Sequence, residues 1–382
     1  MSRAAPSSAG ARRRLRVALL GSRGIPARYG GYETLMEELS RRLVERGLDV
    51  TVYCRSHYAD RSRREHHGVR LAVLPTLRTK HLDTPVHTLL SAIHAAFGRY
   101  DAALVVNAAN ALFVPLLRCT GTPTALHVDG LEQERAKWGA FGRWVYRVSE
   151  LLACRLPTAL VTDAEVIQRH FEERRGKSST MIPYGVEPAP PRDRAVLERL
   201  GLRHRGFVLY VSRFEPENNP HRVVEAYRDV PGETPLVMVG DAPYARSFIE
   251  AVRASADPRV IFPGAIYGDG YRELLDAALV CVHATEVGGT HPALVEAMGY
   301  GNCVLVHDTP ENREVAGAAG LYFDVRRPGN LAEMLARVLA DPKLAARHRE
   351  LARARAKERF SWEAVTDRYV RLFERLAVRG GS

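Results

Sequence analysis

The sequence predicts an α/β protein made of two Rossmann-like, doubly wound domains that face each other across a cleft. Three observations carry that expectation. Short β-branched runs alternate with amphipathic helical patterns, the order that builds parallel sheets covered on both faces. The whole series occurs twice, once on each side of a proline-rich break. At 382 residues the chain exceeds one ordinary core and suits two units of roughly 180 residues each.

The elements follow in order. In the first half "LRVALLG" reads as a strand leading to the helix "GGYETLMEELSRRLVERG". Next come the strands "DVTVYCR" and "VRLAVLP", a helix near "TPVHTLLSAIHAAF", and the strands "DAALVVN", "PTALHVDG" and "TALVTDA". In the second half the strand "GFVLYVSR" leads to the helix "NPHRVVEAYRDV". After it come "TPLVMVG", the helix "YARSFIEAVRAS", "RVIFPG", the helix "YRELLDAA", "LVCVHAT", the helix "HPALVEAMGYG" and "CVLVHD". The break is "YGVEPAPPRDR", residues 184–194, whose prolines propagate neither helix nor central strand.

The expected division is a disordered basic tail over 1–14, an N-terminal domain over 15–185 and a C-terminal domain over 186–360. A helix over 361–382, started near Ser361, packs back on the N-terminal domain.

Composition narrows the function. A net charge of +11 favours an acidic partner: a nucleic acid, an anionic lipid surface or a phosphorylated substrate. The five cysteines are scattered with no C-x-x-C pair, so neither a disulfide framework nor a zinc site is indicated, and a reducing cytoplasm fits. No apolar run approaches the ~20 residues that span a bilayer.

Ligands of doubly wound sheets sit beyond the carboxyl ends of the strands, so the loops there carry the search. The first, "GSRGIPARYGGYE", is rich in glycine before a helix and suits close approach to phosphate. It lacks the G-x-G-x-x-G spacing, and the second strand ends in Cys54-Arg55 with no acidic residue, which disfavours NAD. His127 and Asp129 follow a strand in "HVDG" and can point into the cleft. Arg213 ends a strand in "SRFEPENNP", where a guanidinium can grip a diphosphate. In "TEVGGTHPALVEAMGYG", Thr290 or His291 can cap a helix, Pro292 fits its first position, and the glycine turn leaves amides open to an anion. Glu296, about one turn in, can accept hydrogen bonds from vicinal hydroxyls.

Taken together, the glycine loop, "HVDG", "SRFEPEN" and "VEAMGYGNCVLVHDTPENREVAG" resemble the retaining glycosyltransferases of family four, which have the GT-B fold. The resemblance runs from about residue 15 to 376 and is most specific in the C-terminal motif. "GSRGIPARYGGYET", "ENNP" and "EVGGTHPALVEAMG" are similar to a subgroup of bacterial polysaccharide rhamnosyltransferases.

That resemblance implies roles. Glu296 matches the second glutamate of the family's Glu-x7-Glu motif, which holds the nucleotide ribose. Arg213 matches the diphosphate-binding arginine, His127 the histidine beside the donor sugar, and Gly30 and Gly31 the loop between diphosphate and acceptor. The expected donor-binding set is completed by Asn218, Glu286, Gly289, Thr290, Ala293 and Leu294, with Arg23, Tyr32, Glu33 and Asp129 on the acceptor side. Two departures stand out. Gly288 occupies the position of the first glutamate, with Glu286 the nearest carboxylate, and Asn218 replaces the usual lysine.

The implied reaction moves a sugar from a nucleoside diphosphate donor, with retention, to a saccharide or lipid-linked acceptor in cell-surface polysaccharide synthesis. No cofactor beyond the nucleotide-sugar co-substrate is expected. No Asp-x-Asp occurs in the sequence, so no metal site is expected either, and a front-face route fits the lack of a nucleophile. "RAKWGAFGRWVYRVSELLACRL", Arg135 to Leu156, interleaves basic and aromatic residues. It reads either as a segment peripheral to the inner face of an anionic membrane or as an ordinary domain helix. Two rivals share features: a GT-B sugar-nucleotide epimerase or hydrolase shares the cleft, and a basic nucleic-acid-binding protein shares the charge. The latter lacks an aromatic RNA-binding motif, so no nucleic-acid partner is expected.

Overall fold

The computed structural model describes residues 13–79, 82–130, 139–242 and 245–380. Nearly all of the basic tail, and Arg135 to Trp138 of the basic-aromatic stretch, lie outside these residues.

The first domain holds β1 (Arg16–Leu20), β2 (Asp49–Arg55), β3 (Glu65–His66), β4 (Val69–Leu74), β5 (Ala102–Val106), β6 (Thr124–Val128), β7 (Ala159–Thr162) and β8 (Thr180–Met181). They form one sheet in the order β3-β4-β2-β1-β5-β6-β7-β8. The second domain holds β9 (Val208–Val211), β10 (Leu236–Val239), β11 (Val260–Gly264), β12 (Val280–His283), β13 (Cys303–His307) and β14 (Gly320–Phe323), ordered β11-β10-β9-β12-β13-β14. The strand order reverses beside β1 and beside β9, and both sheets are parallel except where β3 pairs antiparallel with β4. The edge strand β3 carries no apolar run, only Glu65 and His66, and so left no strand signal in the sequence.

Residues alternate between the two faces of each sheet, and both faces are covered. One side of the first sheet packs Val17, Leu19, Val50 and Val52 against Leu35, Met36, Leu39 and Leu43 of helix Gly31–Glu45. The other side packs Ala18, Leu20, Tyr53, Ala103 and Val105 against a separate helical layer. Strands buried on both faces read as continuous apolar runs, which is why "AALVV" and "CVLVH" were recognisable.

The chain crosses between domains twice, and the crossings lie side by side. Val186 donates its amide to Phe360 O at 2.6 Å and bridges to Ser361. A Cβ on Gly185 would stand 2.5 Å from the Trp362 indole, so only glycine lets the two segments touch. Helix Trp362–Gly380 then lies on the N-terminal sheet, burying Trp362, Val365, Tyr369, Leu372, Phe373 and Leu376 at helical spacing.

Candidate active site

The carboxyl ends of both sheets face a cavity of about 370 Å³. It is lined from the first domain by Gly30, Gly31, Asp129 and Tyr184, and from the second by Arg213, Asn218, Thr285, Gly288, Thr290, Ala293 and Glu296. The strand-to-helix loops supply these residues because parallel strands deliver every such loop to the same edge.

The domains meet closely around this cavity, and glycines permit it. A Cβ on Gly31 would lie 3.1 Å from Pro292 Cγ, and one on Gly130 would lie 3.0 Å from Gly288 Cα. A Cβ on Gly289 would come within 2.1 Å of Asp163 Oδ1. Asp163, just beyond β7, accepts the Thr290 amide at Oδ2 (2.8 Å), while its carbonyl accepts the Thr290 hydroxyl (2.5 Å). Burial, then the neighbouring Asp129 charge, raises the Asp163 carboxyl well above the usual range. Glu314 of the second domain accepts the amides of Glu165 (2.6 Å) and Val166 (2.9 Å), capping a first-domain helix.

These contacts revise the reading of the glycine turn. The Gly289 amide donates to Asp129 O at 3.0 Å and the Thr290 amide to Asp163, so both are already committed within the protein. The Thr290 hydroxyl serves Asp163 too, and the cap position falls to His291, whose side chain makes no capping bond. The Ala293 amide has no acceptor among the described residues and opens on the cavity at the start of helix Pro292–Gly299.

Glu296 reaches the cavity from that helix and accepts the Tyr271 hydroxyl at 2.7 Å. Burial pushes its carboxyl up to about 7, although one edge remains open to the cleft. Arg213 Nη1 stands 3.3 Å from Glu215 Oε1. Asn218 donates to the Arg213 carbonyl at 2.7 Å and so braces the arginine loop.

Other expected residues stand behind the cavity wall. His127 is fully buried on β6, and burial alone lowers its pKa to about 3, so the ring is neutral near neutral pH. Its Nδ1 lies 3.1 Å from the Tyr369 hydroxyl, while Nε2 has no hydrogen-bond partner among the described residues. Tyr32 sets its ring edge-on to His127 and donates to Asp129 Oδ1 at 2.6 Å. Glu33 is buried and accepts the Arg23 amide at 2.8 Å, while Arg23 lies over the Tyr29 ring. Leu294 is packed into the second domain's core. Glu286 does not line the cavity; it stands 3.6 Å from Arg326 and 3.8 Å from His307.

Several residues emerged only in the structure. The Tyr184 hydroxyl and Asp163 Oδ1, like Nε2 of the expected His127, are buried polar atoms without hydrogen-bond partners among the described residues. Of the three, only Tyr184 lines the cavity. Asp163 had a signal available, since it follows a strand in "VTDA" as Asp129 does in "HVDG". Tyr271 had none: its place beside Glu296 depends on how two helices of the second domain meet.

Two parallel Rossmann-like sheets, a cleft between them and a C-terminal helix returning to the first domain define the GT-B architecture. Residues 30–185 match the family model described as "Glycosyl transferase 4-like domain", and residues 198–355 match "Glycosyl transferases group 1". The chain is thus assembled from these two glycosyltransferase domains.

Sucrose-phosphate synthase of Thermosynechococcus elongatus superposes with a TM-score of 0.81 at 21% identity, covering 96% of this chain and 100% of that one. Anabaena HepE in complex with UDP-glucose superposes with a TM-score of 0.77 at 18% identity, covering 94% and 99%. At these identities the likeness is one of fold. In sequence, the chain is 26% identical over 208 residues to the O-antigen chain mannosyltransferase B of Escherichia coli, a match spanning 52% of each protein. The chain therefore covers about half the length of that curated relative.

Proposed function

We propose that this protein is a retaining glycosyltransferase that takes a sugar from a nucleoside diphosphate donor and passes it to a saccharide or lipid-linked acceptor in cell-surface polysaccharide synthesis. The observation that carries the reading is the convergence of Arg213, the Ala293 amide and Glu296 on one interdomain cavity. In this reading the guanidinium and the helix start stabilise the diphosphate leaving group, and Glu296 accepts the ribose hydroxyls. The acceptor enters from the first-domain side, past Gly30, Gly31 and Asp129. His127 acts from behind the wall, fixing Tyr32 and Tyr369 rather than exchanging protons.

Gly288 supports a reading of the donor sugar. Its φ of 151° disfavours any side chain, and a Cβ there would sit 2.4 Å from the His291 ring. With Glu286 turned toward Arg326, neither position offers the sugar a carboxylate. A buried carboxylate facing a methyl group would be desolvated without a partner, so a site lacking one suits a 6-deoxy sugar such as L-rhamnose. The experiment is a transfer and hydrolysis assay across nucleotide sugars, with and without a membrane lipid extract. Preference for the deoxythymidine diphosphate–rhamnose donor is expected; clear preference for a uridine diphosphate hexose would defeat the rhamnose assignment.

A further inference from the structure

Among the described residues thirteen large apolar side chains are exposed, and eight of them lie between Leu89 and Leu151. They share one layer. Helix Asp83–Ala96, the turn and helix over Ala108–Arg118, and helix Ala140–Arg155 all bury their inner faces on the same side of the N-terminal sheet. Ala92, Ala95, Ala111, Val114, Leu117 and Ala153 point inward to that core. The opposite faces then present Ile93, Phe97 (82% exposed), Leu112 (61%), Phe141 (77%) and Trp144 (60%) to solvent. The rings of Phe141 and Trp144 stack at 6.0 Å, forming a single aromatic ledge.

Among the described residues the exposed charges on these three segments are all arginine, while helix Glu165–Arg175 of the same layer presents Glu165, Glu172 and Glu173 beside its own arginines. Arg99, Arg118, Arg143, Arg147 and Arg155 are exposed. The two acidic residues of the three segments are turned inward: Asp83 pairs with Arg55, and Glu150 is buried against His170 and Arg175. An apolar surface bearing these five arginines is complementary to a bilayer with anionic headgroups, where tryptophan is at home in the interfacial zone.

Topology gives the surface a purpose. Each of these segments starts at the carboxyl end of its strand, the edge at which the cleft opens. Phe141 and Trp144 lie in the first turns of their helix and Leu112 in the turn that follows β5, whereas Ile93 and Phe97 extend the surface to the other end of helix Asp83–Ala96. We propose that this helical layer is a docking surface for an anionic phospholipid membrane, holding the cleft mouth against a membrane-borne acceptor. The proposal rests on the glycosyl-transfer reading only for the nature of that acceptor.

Flotation of the full chain with phosphatidylcholine vesicles, and with vesicles containing phosphatidylglycerol, tests it. Binding is expected only to the anionic vesicles and should weaken with added salt. Arg143→Gln/Arg147→Gln should lower vesicle affinity about 30-fold, at about fivefold per basic residue near the surface. Phe141→Ser/Trp144→Ser should lower it at least tenfold. Calorimetric binding of a nucleotide sugar should be unchanged in both variants, since neither pair lines the cavity. Failure of the wild type to float with anionic vesicles would overturn the proposal, as would variants that float equally well. A lipid-free dimer split by Phe141→Ser/Trp144→Ser would overturn it too, by assigning the face to a second copy. Loss of nucleotide-sugar binding in the wild type would instead overturn the catalytic reading and leave the vesicle result standing alone.

Discussion

Replacing Glu296 with Gln keeps the side chain's size and removes its charge, which separates its role as an acceptor from its role in packing. A hydrogen bond to a charged group contributes about 1–3 kcal/mol, so donor affinity should fall roughly fivefold to 150-fold at about pH 8. The size of the effect depends on pH. Burial holds the free carboxyl at about 7, and only its ionised form accepts two ribose hydroxyls. Wild-type donor affinity should therefore fall about tenfold for each pH unit below 7 and level off above about 8. The variant has nothing to titrate, so its affinity stays flat and the two curves meet between about pH 6.4 for a fivefold loss and about pH 5 for a 150-fold loss. Stability runs in the opposite sense. An unfolded Glu ionises near 4.5 and the folded one near 7, so the residue's favourable contribution is intact below 4.5 and is lost as pH rises through 7. Glu296→Gln should then be more stable than wild type at about pH 8, by up to about 3 kcal/mol, with no difference below 4.5. Calorimetric titration with a nucleotide sugar, whose diphosphate diester does not ionise in this range, measures the first effect, and thermal melts measure the second. Unchanged affinity in a folded variant would refute the ribose role, and early melting at about pH 8 would make the residue structural.

Arg213→Gln should lower kcat/KM about 10²- to 10³-fold, the loss typical of a donor aimed at developing charge, with the melting temperature nearly unchanged; an active variant would assign Arg213 to its ion pair with Glu215. Gly289→Ala should destabilise the closed pair of domains, because the new Cβ meets Asp163. Asp163→Ala should relieve part of that loss, giving a coupling of at least about 1 kcal/mol in a double-mutant cycle; strict additivity would contradict that contact. Donor binding and turnover should persist in excess EDTA, since no group of His, Cys, Asp and Glu among the described residues can hold a metal ion. Complete loss on chelation, restored by Mg²⁺ or Mn²⁺, would show the opposite.

The strands were legible because parallel sheets buried on both faces need unbroken apolar runs, and "RVALL", "VLYV" and "CVLVH" have them. The helix at Pro292 was legible from its proline and its preceding turn. What the turn does was not, because its ligands come from the other domain. Asp129 and Asp163 lie more than a hundred residues upstream, and a local motif carries no trace of which amides a distant carboxylate will claim. His127 shows the same limit. Its position after a strand places it at the right edge of the sheet, yet its depth is set by Tyr32, Tyr184 and Tyr369, drawn from three separate parts of the chain. Glu286 was adjacent in sequence to the cavity, but the turn of the chain directs it to Arg326. The basic-aromatic helix was visible as a pattern, whereas the layer it shares with Ile93, Phe97 and Leu112 needed the fold.

The most direct test of the central claim is a crystal structure of the protein with an intact nucleotide sugar bound. The account predicts the diphosphate between Arg213 and the Ala293 amide, the ribose hydroxyls on Glu296 in place of Tyr271, and the sugar beside Gly288 facing Tyr184. A nucleotide bound elsewhere, or one whose ribose does not touch Glu296, would contradict it.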